Sequence, residues 1–147
     1  MNCEVTPELI KEEKPDSVII ATGSKTLILP IEGIDNPAII HGSDLLDGKR
    51  PAGKKVLVVG GGMVGCETAA FLGEQEHDVT VIEFRDTVGA DVIHEHRVYL
   101  MKDFEDYGIK EITGAKVCKF YEDGVEYETA DGVRHETSCL LYTSDAA

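Results

Sequence analysis

A glycine-rich turn set between two apolar runs constrains this chain more than any other feature. Lys55-Val56-Leu57-Val58-Val59 reads as a buried strand and passes directly into Gly60-Gly61-Gly62-Met63-Val64-Gly65, a G-x-G-x-x-G pattern with Gly60, Gly62 and Gly65 in the glycine places. Val64, Thr68, Phe71 and Leu72 then recur at the spacing of a helix with one buried face. Gly73 and the polar run 74–78 are expected to end that helix. Val79-Thr80-Val81-Ile82-Glu83 is a further strand, and it closes on an acid about 20 residues past the first glycine. Strand, turn, helix and strand in that order demand an α/β arrangement with a parallel sheet.

Each of these residues has a physical task in a dinucleotide site. Gly60 permits the tight turn off the strand. Gly62 lacks a Cβ, so backbone can approach a pyrophosphate, and Gly65 lets the helix pack closely on the sheet. Gly61, Met63 and Val64 complete the loop, where the helix N-terminus offers N–H groups and partial positive charge to an anion. Glu83 can accept hydrogen bonds from the adenosine ribose hydroxyls, with Phe84 and Arg85 following beside it. A glycine turn by itself is often only a turn; the ordered strand–helix–strand context is what points to NAD(P). A 2′-phosphate near Glu83 would meet a like charge, so NAD(H) is expected over NADP(H), although Arg85 could pair with that phosphate.

Charge and composition narrow the alternatives. The 147 residues carry 28 acidic against 14 basic side chains, a formal net charge of −14. That balance argues against a nucleic-acid partner and against an anionic membrane surface. No apolar run approaches the roughly 20 residues that span a bilayer, and Met1-Asn2-Cys3-Glu4 does not begin a secretory signal. Cys3, Cys66, Cys118 and Cys139 form no CxxC pair, which disfavours a zinc or iron–sulfur site within this stretch. A reducing, cytoplasmic setting is the default expectation.

Elsewhere the pattern is coarser. Residues 7–11 have short helical character, and Ser17-Val18-Ile19-Ile20-Ala21 is a continuous apolar run of the buried-strand kind. Residues 26–51 carry Pro30, Gly33, Pro37 and Gly48 and read as a connection with one helical turn near Ser43–Asp47. Ile93, Leu100, Phe104 and Tyr107 mark one face of a helix that stops at Gly108. Gly114–Tyr121, Val125–Thr129 and Val133–Thr137 then form an antiparallel meander whose turns contain Asp123-Gly124 and Asp131-Gly132.

Taken together, Val18-Ile19-Ile20-Ala21-Thr22-Gly23, the stretch Val58–Ala69 and Val79–Glu83 resemble the flavoproteins with two dinucleotide-binding domains. Within them the chain is most similar to the NADH:flavin oxidoreductases related to 2,4-dienoyl-CoA reductase and trimethylamine dehydrogenase, over about residues 4 to 136. The resemblance implies a Rossmann-like FAD/NAD(P)-binding three-layer fold: a parallel sheet, helices on one face and an antiparallel β-meander on the other. It implies NAD(P)H bound for hydride transfer to FAD, with an FMN-bearing barrel and a 4Fe-4S cluster in other regions passing electrons to an enoyl or dienoyl substrate. Ala21, Thr22 and Gly23 would lie near the FAD at the crossover, and the partner would be the flavin domain of the same polypeptide. The expected division is a partial FAD-domain segment and crossover over 1–30, an NAD(P)-binding domain over 31–136 and a truncated or aberrant tail over 137–147. The chain then looks like a fragment of a larger enzyme, not catalytically complete by itself. Two other readings stay open: the NAD(P) domain of a disulfide-reductase-type flavoprotein, and a non-catalytic dinucleotide-sensing module.

Some residues invite more than they support. His94-Glu95-His96 suggests metal ligands, but residues two apart on a helix point about 200° away from each other, which favours a solvated face. Cys66 fits a small buried residue at the helix start better than a redox thiol. Glu67 lies in the helix's first turns, where a carboxylate favours the macrodipole; the resemblance also places a glutamate here near the nicotinamide pocket. Asp86 and Asp91 are expected only to solvate the loop before the next helix.

Overall fold

The computed structural model describes residues 3–23, 27–137 and 139–142. Five strands form a parallel sheet in the order β1-β8-β2-β3-β4. Its members are β1 (Ile40–His41), β2 (Lys55–Val59), β3 (Asp78–Ile82), β4 (Lys110–Ile112) and β8 (Cys139–Tyr142). A second, antiparallel sheet is the meander β5 (Lys116–Tyr121), β6 (Gly124–Thr129) and β7 (Gly132–Thr137).

The layering follows from the alternation of side chains along each strand. Val56 and Val58 of β2, with Val79 and Val81 of β3, face one core, which holds Cys66, Ala69, Ala70 and Leu72 of α3 (Met63–Glu74) and Leu100 and Phe104 of α4 (His94–Asp106). Leu57, Val59 and Ile82 face a second core, with Val117, Phe120, Val125 and Tyr127 of the meander. Both faces of the central strands are therefore covered, as their near-continuous apolar sequence requires. The fold is the Rossmann-like three-layer α/β arrangement anticipated above. Among the described residues no helix is long and apolar enough to cross a membrane.

The smaller elements obey local rules. Helix α1 (Pro7–Glu13) has Pro7 at its first position and Thr6 as its cap, Thr6 Oγ1 accepting from Leu9 N–H at 3.3 Å. The turn expected near Ser43–Asp47 is α2 (Gly42–Leu46). Gly108 adopts φ 65° and ends α4, with Ile109 N–H donating to the Phe104 carbonyl.

Several expectations are corrected. Ser17–Ala21 belongs to no strand, and Ile19 is 90% exposed. An apolar run becomes a strand only beside a neighbour that shares its N–H and C=O groups, and β1 already occupies the edge next to β8. Phe71 is exposed, and the contact face of α3 is made instead by Gly65, Cys66, Thr68, Ala69, Ala70, Leu72 and Gly73. Small residues let the helix sit close to the sheet. Gly73 lies inside the helix, which runs on to Glu74; a Cβ there would stand 2.8 Å from Tyr107 Cβ, so the glycine serves close packing on α4's end and not helix termination. Ile93 and Tyr107 flank α4 and are exposed, which leaves Leu100 and Phe104 as its buried residues. Residues 139–142 form β8, which pairs with both β1 and β2. The rest of the expected tail, 143–147, lies outside the described residues.

Candidate functional site

Strand β2 delivers its last residue to a turn that begins at Gly60, whose φ of 106° is closed to most side chains. Gly60 N–H donates to the Ile82 carbonyl, so the turn starts in register with β3. Gly62 is the N-cap of α3, with φ −74° and ψ −171° and no side-chain cap bond. The first turn of α3 contains no acidic residue. The positive end of its macrodipole lies at the carboxyl ends of β2 and β3, the usual place for a ligand in such a sheet.

Gly61, buried between these two, is held on both sides. Its carbonyl accepts from Gly89 N–H at 2.7 Å and from the Cys66 thiol at 3.2 Å. Its N–H donates to Glu83 Oε2 at 2.6 Å, while Glu83 Oε1 accepts from Arg85 N–H at 2.7 Å. The Glu83 backbone is itself fixed, its N–H donating to the Ile112 carbonyl and its carbonyl accepting from Ala115 N–H. The carboxylate is thus aimed by β3 and β4 together, and each oxygen keeps a lone pair for a hydroxyl donor. Arg85 is also less loose than a simple loop residue, because its carbonyl accepts from Gly114 N–H. The Arg85 side chain and Phe84 are exposed next to it.

Other candidates are placed differently. Glu67 points to solvent and pairs with His96 Nε2 at 3.1 Å, tying the start of α4 to α3. His94, Glu95 and His96 are exposed at the start of α4. Cys66 is fully buried, and burial, ahead of any other cause, pushes its thiol up to about 12. It remains a neutral thiol, not a thiolate nucleophile. Ala21, Thr22 and Gly23 are exposed and lie outside any helix or strand.

Asp91 does more than solvate the loop. Its Oδ2 accepts from Met63 N–H at 3.3 Å, so it reaches back to the N-terminus of α3. Gly89, with φ 62°, turns the chain that brings it there, and Val92 N–H donates to the Gly89 carbonyl. The signal available in sequence was a glycine followed two residues later by an acid, shortly after the acid-ended strand. Asp86, by contrast, is exposed on the loop as expected.

The residues present suit an adenine dinucleotide: a glycine turn whose N-cap residue has no side chain, a helix start for the phosphates and a fixed acceptor for ribose. The family model described as pyridine nucleotide-disulphide oxidoreductase matches residues 6–144. The bilirubin reductase of Mediterraneibacter gnavus is 36% identical over 125 residues, covering 85% of this chain and 20% of that protein. The NADH oxidase of Thermoanaerobacter brockii is 37% identical over 122 residues, 80% of this chain and 19% of that protein. Among solved structures, a 2-naphthoyl-CoA reductase in complex with 2-naphthoyl-CoA has a TM-score of 0.80 at 33% identity, covering 99% of this chain and 22% of that one. The chain spans about a fifth of the length of these relatives.

Proposed function

The chain belongs to the pyridine nucleotide-disulphide oxidoreductase family, and from that premise we propose that it is the pyridine-nucleotide-binding segment of a flavin-dependent reductase. The observation that carries this reading is the Glu83 carboxylate, fixed at the end of β3 and bonded to the Gly61 N–H of the glycine turn. Such a carboxylate receives the two ribose hydroxyls of NAD, and the first turn of α3 receives the pyrophosphate. When bound, nicotinamide and flavin supply the hydride chemistry. The contribution of this chain is binding and orientation: Gly60–Gly65 hold the phosphates, Glu83 with Phe84 and Arg85 holds the adenosine end, and Glu67 lies on the helix behind the loop.

The finer assignment follows from the same premise. We place the chain in the branch resembling 2,4-dienoyl-CoA reductase, with Ala21, Thr22 and Gly23 beside the FAD and with FMN and a 4Fe-4S cluster in other regions of a longer polypeptide. Supporting this are two reductases among its relatives and the small share of their length that it spans. The deciding experiment is calorimetric titration of the purified chain with NADH, alongside its absorption spectrum. Saturable one-to-one binding without a stoichiometric flavin band near 450 nm (about the usual flavin wavelength) is expected. A folded chain that binds no NADH overturns the dinucleotide reading, and one that retains flavin overturns the division of labour.

A further inference from the structure

Asp91 already occupies a backbone amide at the start of α3. Its Oδ2 takes the Met63 N–H, and Met63 is the first residue of α3. That amide is among those that a pyrophosphate would otherwise engage. The segment carrying Asp91 is firmly attached to the glycine turn. Gly89 N–H donates to the Gly61 carbonyl at 2.7 Å, Val88 is fully buried, and Arg97 Nη2 donates to both Thr87 Oγ1 and the Val88 carbonyl, at 3.0 and 3.1 Å. The segment therefore does not need Asp91 to hold it in place. Asp91 itself is exposed, and its bond to the helix start is long, at 3.3 Å.

We propose that Asp91 is an affinity-setting residue, an internal anion that competes with the dinucleotide pyrophosphate for the N-terminus of α3 and must yield the Met63 amide when the ligand binds. This rests on the reading of the site as a dinucleotide site. The physical argument is direct. A carboxylate and a pyrophosphate both seek the same partial positive charge, and two anions within a few ångströms repel. Because Asp91 is solvent-exposed, the repulsion is moderate and screened by salt. Its effect falls on the phosphates and not on the adenosine end, where Glu83 acts. The chain thereby binds dinucleotide more weakly than its loop alone would permit, and releases it more readily.

The test is calorimetric titration of the unsubstituted chain, Asp91→Asn and Asp91→Ala with NADH, inorganic pyrophosphate and adenosine. Asp91→Asn keeps an acceptor for the Met63 amide and removes the charge, whereas Asp91→Ala removes both. Tighter binding of NADH and of pyrophosphate by about three- to tenfold is expected for both variants, as for one screened surface charge. The gain should shrink at high salt, and adenosine affinity should not change. A purely structural cap predicts the opposite, weaker binding in Asp91→Ala from a loosened loop. Unchanged or weaker pyrophosphate and NADH binding in Asp91→Asn overturns the proposal. Should the unsubstituted chain bind no NADH, the dinucleotide reading fails, and the pyrophosphate comparison still decides the competition.

Discussion

Gly61→Ala puts the smallest possible perturbation at the join between turn and acid. A Cβ at residue 61 would stand 2.9 Å from Glu83 Cβ, 3.0 Å from Val88 Cγ1 and 3.3 Å from Glu83 Cγ. None of these atoms is the free end of a flexible side chain: Val88 is fully buried, and Glu83 is anchored through its backbone to β4 and beyond. The turn must therefore move, and overpacking of this kind costs about 1–3 kcal/mol. At roughly 2–4 °C per kcal/mol for a chain of this size, the loss is readable as a lower melting temperature by circular dichroism. The same movement draws the Gly61 N–H away from Glu83 Oε2 and releases the carboxylate, so NADH affinity should fall about tenfold, or about 1.4 kcal/mol. Gly48→Ala is the control: its φ is 69° but no atom of the described residues lies within 4 Å of the new Cβ, so it should show backbone strain without loss of affinity. A Gly61→Ala chain with unaltered melting and unaltered NADH binding would refute the coupling between Gly61 and Glu83.

Three further outcomes are expected. Gly62→Val should abolish NADH binding in calorimetry while far-UV circular dichroism stays native, because φ −74° is open to valine and a branched Cβ at this place of the motif takes the room of a pyrophosphate; retained affinity would make the loop merely a turn. NADH should bind roughly tenfold or more tightly than NADPH, and Glu83→Ala should erase most of that preference, at about 1–3 kcal/mol for the charged contact; equal affinities in the unsubstituted chain would assign the pocket to Arg85. Cys66 should escape thiol reagents in the folded chain at pH 8 (read by peptide mass mapping), while the exposed Cys3 reacts. Its folded pKa, pushed to about 12, exceeds the ordinary 9.0, so its contribution to stability is complete below about pH 9 and declines as pH rises toward 12; denaturant unfolding of Cys66→Ala that shows the same alkaline decline would contradict this.

What could be read from sequence was governed by how local its cause is. The β2–α3–β3 unit was legible because its apolar period, glycines and terminal acid all lie within a short stretch. The Asp-Gly turns of the meander were legible for the same reason. Phe71 is exposed: helical spacing shows which residues share a face, not which face the sheet takes; the small residues Cys66, Ala69, Ala70 and Gly73 take it. Ser17–Ala21 has strand composition, but a strand is a property of its neighbours. The contact of Asp91 is not local: its partner, Met63, lies 28 residues earlier, before β3. Its role appears only once the Gly89 turn folds the chain back.

Strand β8 has a consequence in time as well as in space. Its residues pair Val56↔Cys139 through Val59↔Tyr142, filling the side of β2 away from β3. At synthesis rates of about 5–20 residues per second, the intervening stretch of about 80 residues takes roughly 4–16 s to emerge. Helix α3 and β3 can dock on β2 within microseconds to milliseconds, since their contacts are local. Over the following seconds one flank of β2 presents bare N–H and C=O groups, the condition in which strands capture foreign partners. A ladder at the middle of the sheet is thus the last to close, and each nascent molecule passes through a period in which anything that shields that flank raises its yield.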